Sequence, residues 1–274
     1  MRYAIVLIFP PGYTHSAAFT EVAELLLLSF ETLGVECRIL INQFDPDGIN
    51  ILLGYNLMTY GPMLASVKYV VYQLEQLSDR EGWYDAGRAE VLKHATAVWD
   101  YEPKNIAFLA QQGITAKHLP LGFHEKLQRI QMLPEEERGI DILFYGSMNP
   151  RRIAVLEKLE RWHKVKALFN VYGKNRDAAI AQSKMILNVH YYESQLLEQV
   201  RISYLVNNQR FVVSEGPAEA DYFGNAVAFA DYDALEETCG LWLKNLKGRA
   251  DAVQSGFDFF AKRPMAEALK EVLL

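Results

Sequence analysis

Between Asp141 and Arg152 the chain reads Asp-Ile-Leu-Phe-Tyr-Gly-Ser-Met-Asn-Pro-Arg-Arg, residue types that together can hold an anion. Ile140 to Tyr145 is mostly apolar and strand-like. Gly146-Ser147 is a turn, and Asn149-Pro150 starts a helix, with Ile153, Leu156 and Leu159 at helical spacing. A strand, a tight glycine turn and a helix N-terminus aim unpaired backbone N–H groups and the positive end of a helix dipole at one spot. Arg151 and Arg152 stand in that first turn, where acidic residues are usual. Two cations at a positive helix end make sense with an anion such as a phosphate between them. The plain alternative is an ordinary βα turn with two solvated arginines.

Other chemistry-bearing residues sit beyond further strand-like runs, where open parallel sheets bind their ligands. In the first half these are the Pro10–Ser16 loop with His15, the Gln73–Gln76 segment with Glu75, and Asp100-Tyr101. In the second half they are Gly146 to Arg152, Tyr172-Gly173-Lys174, His190-Tyr191-Tyr192 and Glu215-Gly216-Pro217. His15 is a base candidate or a loop histidine beside the helix-capping candidates Thr14 and Ser16. Glu75 is a base candidate or a solvated carboxylate. His190 with its tyrosines reads as a ligand contact or a packed aromatic cluster. Arg201, on an amphipathic helix, is suited either to pairing with Glu198 or to a phosphate. Glu215 directly follows a buried strand, where a carboxylate without a partner is costly.

The 274 residues are 50% hydrophobic and 23% charged, with a net charge of −6. That is ordinary globular composition with ample material for a core. Lys and Arg are dispersed along the sequence, which argues against a duplex nucleic-acid binder and against a polybasic membrane patch. Cys37 and Cys239 are far apart with no Cys/His spacing around them, which excludes a disulfide scaffold and a structural zinc site. No Gly-x-Gly-x-x-Gly follows the first strand, and there is no Walker lysine motif. Asp45-Pro46-Asp47 is an Asp-x-Asp that lies in a turn rather than at a strand end. With no cleavage site after Met1-Arg2 and no apolar stretch of spanning length, a cytoplasmic location is expected.

The elements that must position these residues alternate. Strand-like runs at 3–9, 36–41, 50–53, 67–72, 97–99 and 117–121 are interleaved with helical patterns at 17–33, 84–94 and 105–111. A polar stretch from His124 to Gly139 reads as an interdomain linker. A second series follows, with strands at 140–145, 167–171, 185–189, 211–214 and 227–229. Its helices are at 153–162, 177–182, 196–207, 234–246 and 249–262, and 266–273 is a terminal helix. The fold class is therefore α/β, two Rossmann-like domains facing across a cleft. Their bounds are 1–128 and 139–262, with 263–274 as a terminal helix.

The runs DILFYGSMNPRR, VYG, ILNVHYYES and RISYLVNNQRFVVSE resemble the C-terminal half of GT-B glycosyltransferases, in particular the bacterial family-1-like and spore-maturation-type group. VVYQLEQL, AVWDYEPKNIAFL and HLPLGF in the first half fit the same group, so the resemblance extends from Tyr3 to about Ala250. It implies transfer of a sugar from a nucleotide-sugar donor, with an acceptor-side first domain and a nucleotide-sugar-binding second domain. Gly146, Ser147, Asn149, Arg151 and Arg152 would hold the diphosphate, and an arginine would offset the charge on the leaving group. Tyr172, Gly173, His190 and Tyr191 would border the base, and Glu215 would take the ribose hydroxyls. No cofactor or metal is implied beyond the donor as co-substrate. Retaining members often carry a second glutamate after the first; the matching position here is Phe223. An inverting transfer instead needs a base, for which His15 and Glu75 compete. The acceptor, whether saccharide, lipid-linked glycan, protein or small molecule, stays open. So do two other functions, a non-catalytic nucleotide-binding or interaction module and a nucleotide-sugar epimerase.

Overall fold

The computed structural model describes residues 2–77, 84–191, 196–216 and 222–274. Two compact units make up the chain: Met1–His124 together with Arg263–Leu274, and Glu125–Lys262.

The first unit begins with β1 (Tyr3–Leu7), buried at every position, as a strand covered on both faces must be. A short 3-10 turn, Thr14–Phe19, leads into α1 (Thr20–Thr32). Then come β2 (Cys37–Ile41), β3 (Ile49–Leu53), α2 (Pro62–Ala65), β4 (Lys68–Gln73), α3 (Ala86–Lys93), β5 (Ala97–Asp100), α4 (Pro103–Gln111) and β6 (Ala116–His118). The second unit runs β7 (Ile140–Tyr145), α5 (Pro150–Glu160), β8 (Val165–Leu168), α6 (Gly173–Ala181), β9 (Ser183–Asn188), α7 (Gln199–Asn207), β10 (Val212–Glu215), β11 (Val227–Ala230), α8 (Leu235–Lys244) and α9 (Leu246–Phe260). α10 (Met265–Val272) closes the chain.

Both sheets are parallel throughout, in the orders β2-β1-β3-β4-β5-β6 and β11-β10-β9-β7-β8. Counted within each unit, the first strand lies between the second and third, and the rest follow outward. Each sheet therefore reverses its winding direction beside its first strand, and such a switch point leaves a crevice beyond the strand ends. The α/β architecture of two Rossmann-like units is thus realised. The cores are the apolar faces of these strands with their helices, Val6, Leu52, Val71 and Leu109 in one unit and Phe144, Leu187, Val213 and Leu159 in the other.

Several boundaries differ from those read along the sequence. α5 starts at Pro150 rather than Ile153, because its cap Asn149 begins the helix before the apolar stripe starts, and α6 starts at Gly173 rather than Asp177, without a side-chain cap. Thr14 and Ser16 cap nothing, and the 3-10 turn they belong to starts without a side-chain cap. β8 lies at 165–168, because its register is set by pairing with β7.

The segment expected to be a linker is built into the second unit. Arg129 and Ile130 donate their N–H groups to Asn208 Oδ1, and Glu135 pairs with Arg138 and Arg249. The terminal helix belongs to the first unit. α10 packs on α1 through an apolar stripe of Met265, Ala266, Leu269 and Val272. Its entry passes so close to Gly122 that a Cβ there would stand 2.7 Å from the Met265 backbone.

Candidate functional site

At the switch point of the second sheet, β7 pairs with β8 on one side and β9 on the other. Gly146 ends β7 at φ +143, and a Cβ on it would stand 2.8 Å from Arg201 Nη2 and 3.4 Å from Arg152 Nη1. Glycine is needed here because two guanidinium groups cross the backbone. Asn149 then caps α5, its Oδ1 accepting from Arg152 N at 2.9 Å, and its Nδ2 donates to the Tyr191 carbonyl at 3.1 Å. Pro150 takes the first helical position, where it loses no bond.

The two arginines separate in function. Arg152 is 2% exposed. It donates from Nε and Nη2 to the Val189 carbonyl at 2.9 and 2.6 Å, and from Nη1 to the Ser147 carbonyl at 2.7 Å. Its guanidinium lies near the Phe144 and Tyr191 rings and pairs with Glu198 at 3.4 Å. It therefore fastens the loop after β7 to the loop after β9, and the reading of two solvated arginines fails. Arg151 keeps a third of its side chain open to solvent. It forms a two-pronged pair with Glu215, donates to the His190 carbonyl at 3.3 Å, and stacks 4.0 Å from the Tyr232 ring centroid. Tyr232 OH in turn donates to the Arg151 carbonyl at 2.8 Å. Glu215, at the end of β10, also accepts from His190 N at 3.1 Å.

Beneath this layer lies a second carboxylate that strand-end reasoning did not place at the centre. Glu198, just before α7, accepts from Asn188 Nδ2 at 2.8 Å and lies 3.1 Å from His190 Nδ1. Burial pushes the Glu198 carboxyl up, but the bond and charge of His190, the charge of Arg201 and the Asn188 amide outweigh it and hold it below the ordinary value. Asn188 also donates to Ser214 Oγ at 3.0 Å and accepts from Arg201 Nη1 at 2.7 Å. Arg201 thus bonds to Asn188 and lies over Tyr145; its bearing on Glu198 is through charge. The ends of β7, β9 and β10 are joined in one connected polar network. The legible signal was Asn188-x-His190 closing an apolar strand, with Glu198 and Arg201 one helical turn apart.

Tyr172 and Gly173 stand one strand over, at the start of α6 beyond β8. Tyr192 and Pro217, also named along the sequence, lie outside the described residues. Phe223 is buried against Tyr222 and Phe260, so an aromatic core residue occupies the position of the second glutamate.

The first sheet's strand ends carry a different constellation. His15 lies in the turn after β1, edge-on to Tyr13 at 5.3 Å. Burial raises the Tyr13 hydroxyl's pKa, and the nearby Glu75 charge adds to the shift. Glu75 follows β4 and its backbone is held by Gln73, whose side chain accepts from Glu75 N and donates to Glu75 O, each at 2.6 Å. Burial pushes the Glu75 carboxyl up to about 7. Asp100, fully buried at the end of β5, is pushed up to about 8 by burial despite bonds from Glu102 N, Asn105 and Gln73. Buried Ser16 Oγ and Tyr55 OH have no hydrogen-bond partner among the described residues. The structure thus groups His15, Tyr13 and Glu75, and adds Tyr55 and Asp100.

Among the described residues no cluster of His, Cys, Asp and Glu has a metal-holding arrangement, and no helix is long and apolar enough to cross a membrane. Asp45, in the Asp-x-Asp turn, is taken by Arg2 and Arg38.

No family model matches the chain. Two proteins of Acanthamoeba polyphaga mimivirus, the uncharacterized proteins R358 and L140, are 28% identical over 201 residues and 25% over 217. These alignments cover 70% and 75% of this chain, and 68% and 70% of those proteins. Among solved structures, AviGT4, a glycosyltransferase involved in avilamycin A biosynthesis, aligns with a TM-score of 0.62 at 14% identity, covering 99% of this chain and 96% of that one. An α1,3-fucosyltransferase with GDP-fucose aligns at 0.53 and 11%, covering 98% and 88%. TarM aligns at 0.55 and 13% over 90% of this chain, which spans only 57% of TarM; an S. aureus TarM mutant aligns with similar scores in a complex that includes UDP. At these identities the likeness is one of fold, and the fold is that of the GT-B glycosyltransferases.

Proposed function

We propose that this chain is a metal-independent glycosyltransferase that moves a sugar from a nucleoside-diphosphate sugar to an acceptor hydroxyl. The observation that carries this reading is the convergence, at the second sheet's switch point, of the Gly146 turn, the α5 N-terminus, Arg151, Arg201 and Glu215. A diphosphate is the ligand such a place favours, because helix N–H groups and guanidinium groups meet it from several sides. Arg201, whose Nη2 lies against Gly146, and the part-exposed Arg151 are the cations we assign to it. Gly146, Ser147 and Asn149 shape the turn, and Arg152 braces it from beneath. Tyr172, Gly173, His190 and Tyr191 would border the base, with Glu215 at the ribose. Because Arg151 and Glu215 hold each other, donor binding must share or exchange that pair.

Charge develops on the departing diphosphate, and fixed cations there lower the barrier without reorganising. In an inverting transfer a base takes the acceptor proton. Glu75, ionising near 7, suits that task at neutral pH, with His15 as its competitor. Phe223 at the second-glutamate position favours this route over a two-glutamate retaining one. The same position also leaves room for a second reading, a nucleotide-binding module without catalysis, which keeps the diphosphate site and transfers nothing.

A thermal-shift panel with UDP, GDP, dTDP and CMP tests the site. At about 100 times its Kd a matching diphosphate adds roughly 2.7 kcal/mol of stability. No shift with any of the four would remove the reading. A shift without product from any donor would select the non-catalytic module.

A further inference from the structure

The loop that carries Glu75 is held by polar bonds to its main chain. Leu74 and Leu77 are buried on either side of the half-buried Glu75. Gln73, the last residue of β4, accepts from Glu75 N and donates to Glu75 O. A second amide reaches the same carbonyl from another element. Asn105, in the first turn of α4, donates from Nδ2 to Glu75 O at 2.8 Å and accepts from Leu77 N at 2.9 Å.

One carboxyl group joins both amides. Asp100, opposite Gln73 in the β4–β5 register, bonds Gln73 Nε2 at 3.0 Å and Asn105 Nδ2 at 3.2 Å. Gln73, Asp100 and Asn105 are each 0% exposed. The Glu75 carboxyl, by contrast, accepts no hydrogen bond among the described residues, and burial is what raises it. That division has a chemical reason. A donor on the Glu75 carboxyl would fix its place but favour its anion, and so weaken it as a proton acceptor. Bonds to the main chain fix it without that loss. The Gln73 amide by itself already closes the turn, so the buried Asn105 and Asp100 contacts add precision to it.

We propose that Gln73 and Asn105, joined through Asp100, are positioning residues that fix where the Glu75 carboxyl stands. Their part in transfer rests on the reading of Glu75 as the base, but the clamp itself is measured without any transfer.

The test follows the Glu75 carboxyl by carbon-13 NMR of the full chain without donor or acceptor, its signal assigned by its loss in Glu75→Gln. In the wild type the titration midpoint is expected at about 7. Gln73→Met and Asn105→Ala each release the loop and let water reach the carboxyl, so the midpoint should fall toward the ordinary value of about 4.3. Phe108→Leu, which loosens α4 away from the clamp, should leave the midpoint in place. Turnover should drop roughly ten- to hundredfold in both clamp variants at unchanged KM for the donor, because a misplacement of about 1 Å costs on that order. A midpoint that stays put in the clamp variants, or that Phe108→Leu moves equally, overturns the proposal. Should one clamp variant not fold, the other decides. A moved midpoint with unaltered turnover supports the clamp and removes Glu75 as the base.

Discussion

The two sheets share one winding plan and use its crevice in opposite ways. Beyond the second sheet, Arg151, Arg152, Arg201, Glu198 and Glu215 are interlocked, and the Glu198 carboxyl is held below its ordinary value by cations and donors. Beyond the first, Glu75 and Asp100 are pushed up to about 7 and about 8, with buried hydroxyls of Ser16 and Tyr55 left unpaired among the described residues. The same topology therefore produces a rigid cationic cradle in one unit and a proton-retaining, under-satisfied pocket in the other. A cradle for a charged ligand must be preorganised, whereas a group that is to accept a proton must not already be stabilised as an anion.

The largest expected effect would break the cradle. Glu198→Ala leaves Arg152 and His190 buried without their carboxylate, and should destabilise the second unit by about 3–5 kcal/mol. Urea titration of the full chain measures this, and a loss below about 1 kcal/mol would mean that Glu198 does not bind the network together.

Next is the proton acceptor. Glu75→Gln should lower turnover about 10²–10⁴-fold while leaving nucleoside diphosphate affinity nearly unchanged. His15→Ala is the paired measurement. If it alone abolishes turnover, the role moves to His15; if both variants remain active, the inverting assignment fails.

The two arginines of the loop should then part company. Arg151→Gln is expected to weaken diphosphate binding roughly ten- to hundredfold, with little change for the nucleoside, from the loss of about 1.5–3 kcal/mol of charge-assisted bonding. Arg152→Ala should instead act on stability, since its donors all go to the protein. Calorimetric titration with UDP and uridine separates the cases, and equal losses for both ligands would make the loop structural.

The smallest effect concerns pH, and its sign differs between the units. Folded Glu75 and Asp100 hold protons more tightly than in the unfolded chain. Their contribution is fully present below the unfolded carboxylate range, near pH 4, and is lost as pH rises toward about 7 and about 8. Glu198 behaves the other way: its contribution is present above the unfolded value and lost as pH falls through its lowered one. Stability curves of Glu75→Gln should be flatter than wild type on the neutral side, by on the order of 1–2 kcal/mol after screening. A curve parallel to wild type would show that Glu75 is not held neutral.

Much of this architecture was legible along the chain. Continuous apolar runs such as Tyr3–Leu7 and Ile142–Tyr145 have no choice but to become doubly covered strands, and Gly146-Ser147-Met148-Asn149-Pro150 encodes its own turn and cap. These are local effects, acting between residues a few positions apart. What required the folded chain was the identity of each partner. Arg151 and Arg152 are adjacent and chemically identical, yet helical geometry turns one toward Glu215 at the edge of solvent and the other under the loop onto the Val189 carbonyl. The terminal helix joined the first unit because its apolar stripe found α1 across most of the sequence. Apolar period and turn chemistry are written residue by residue, but charge pairing and burial depend on distances that only tertiary packing sets.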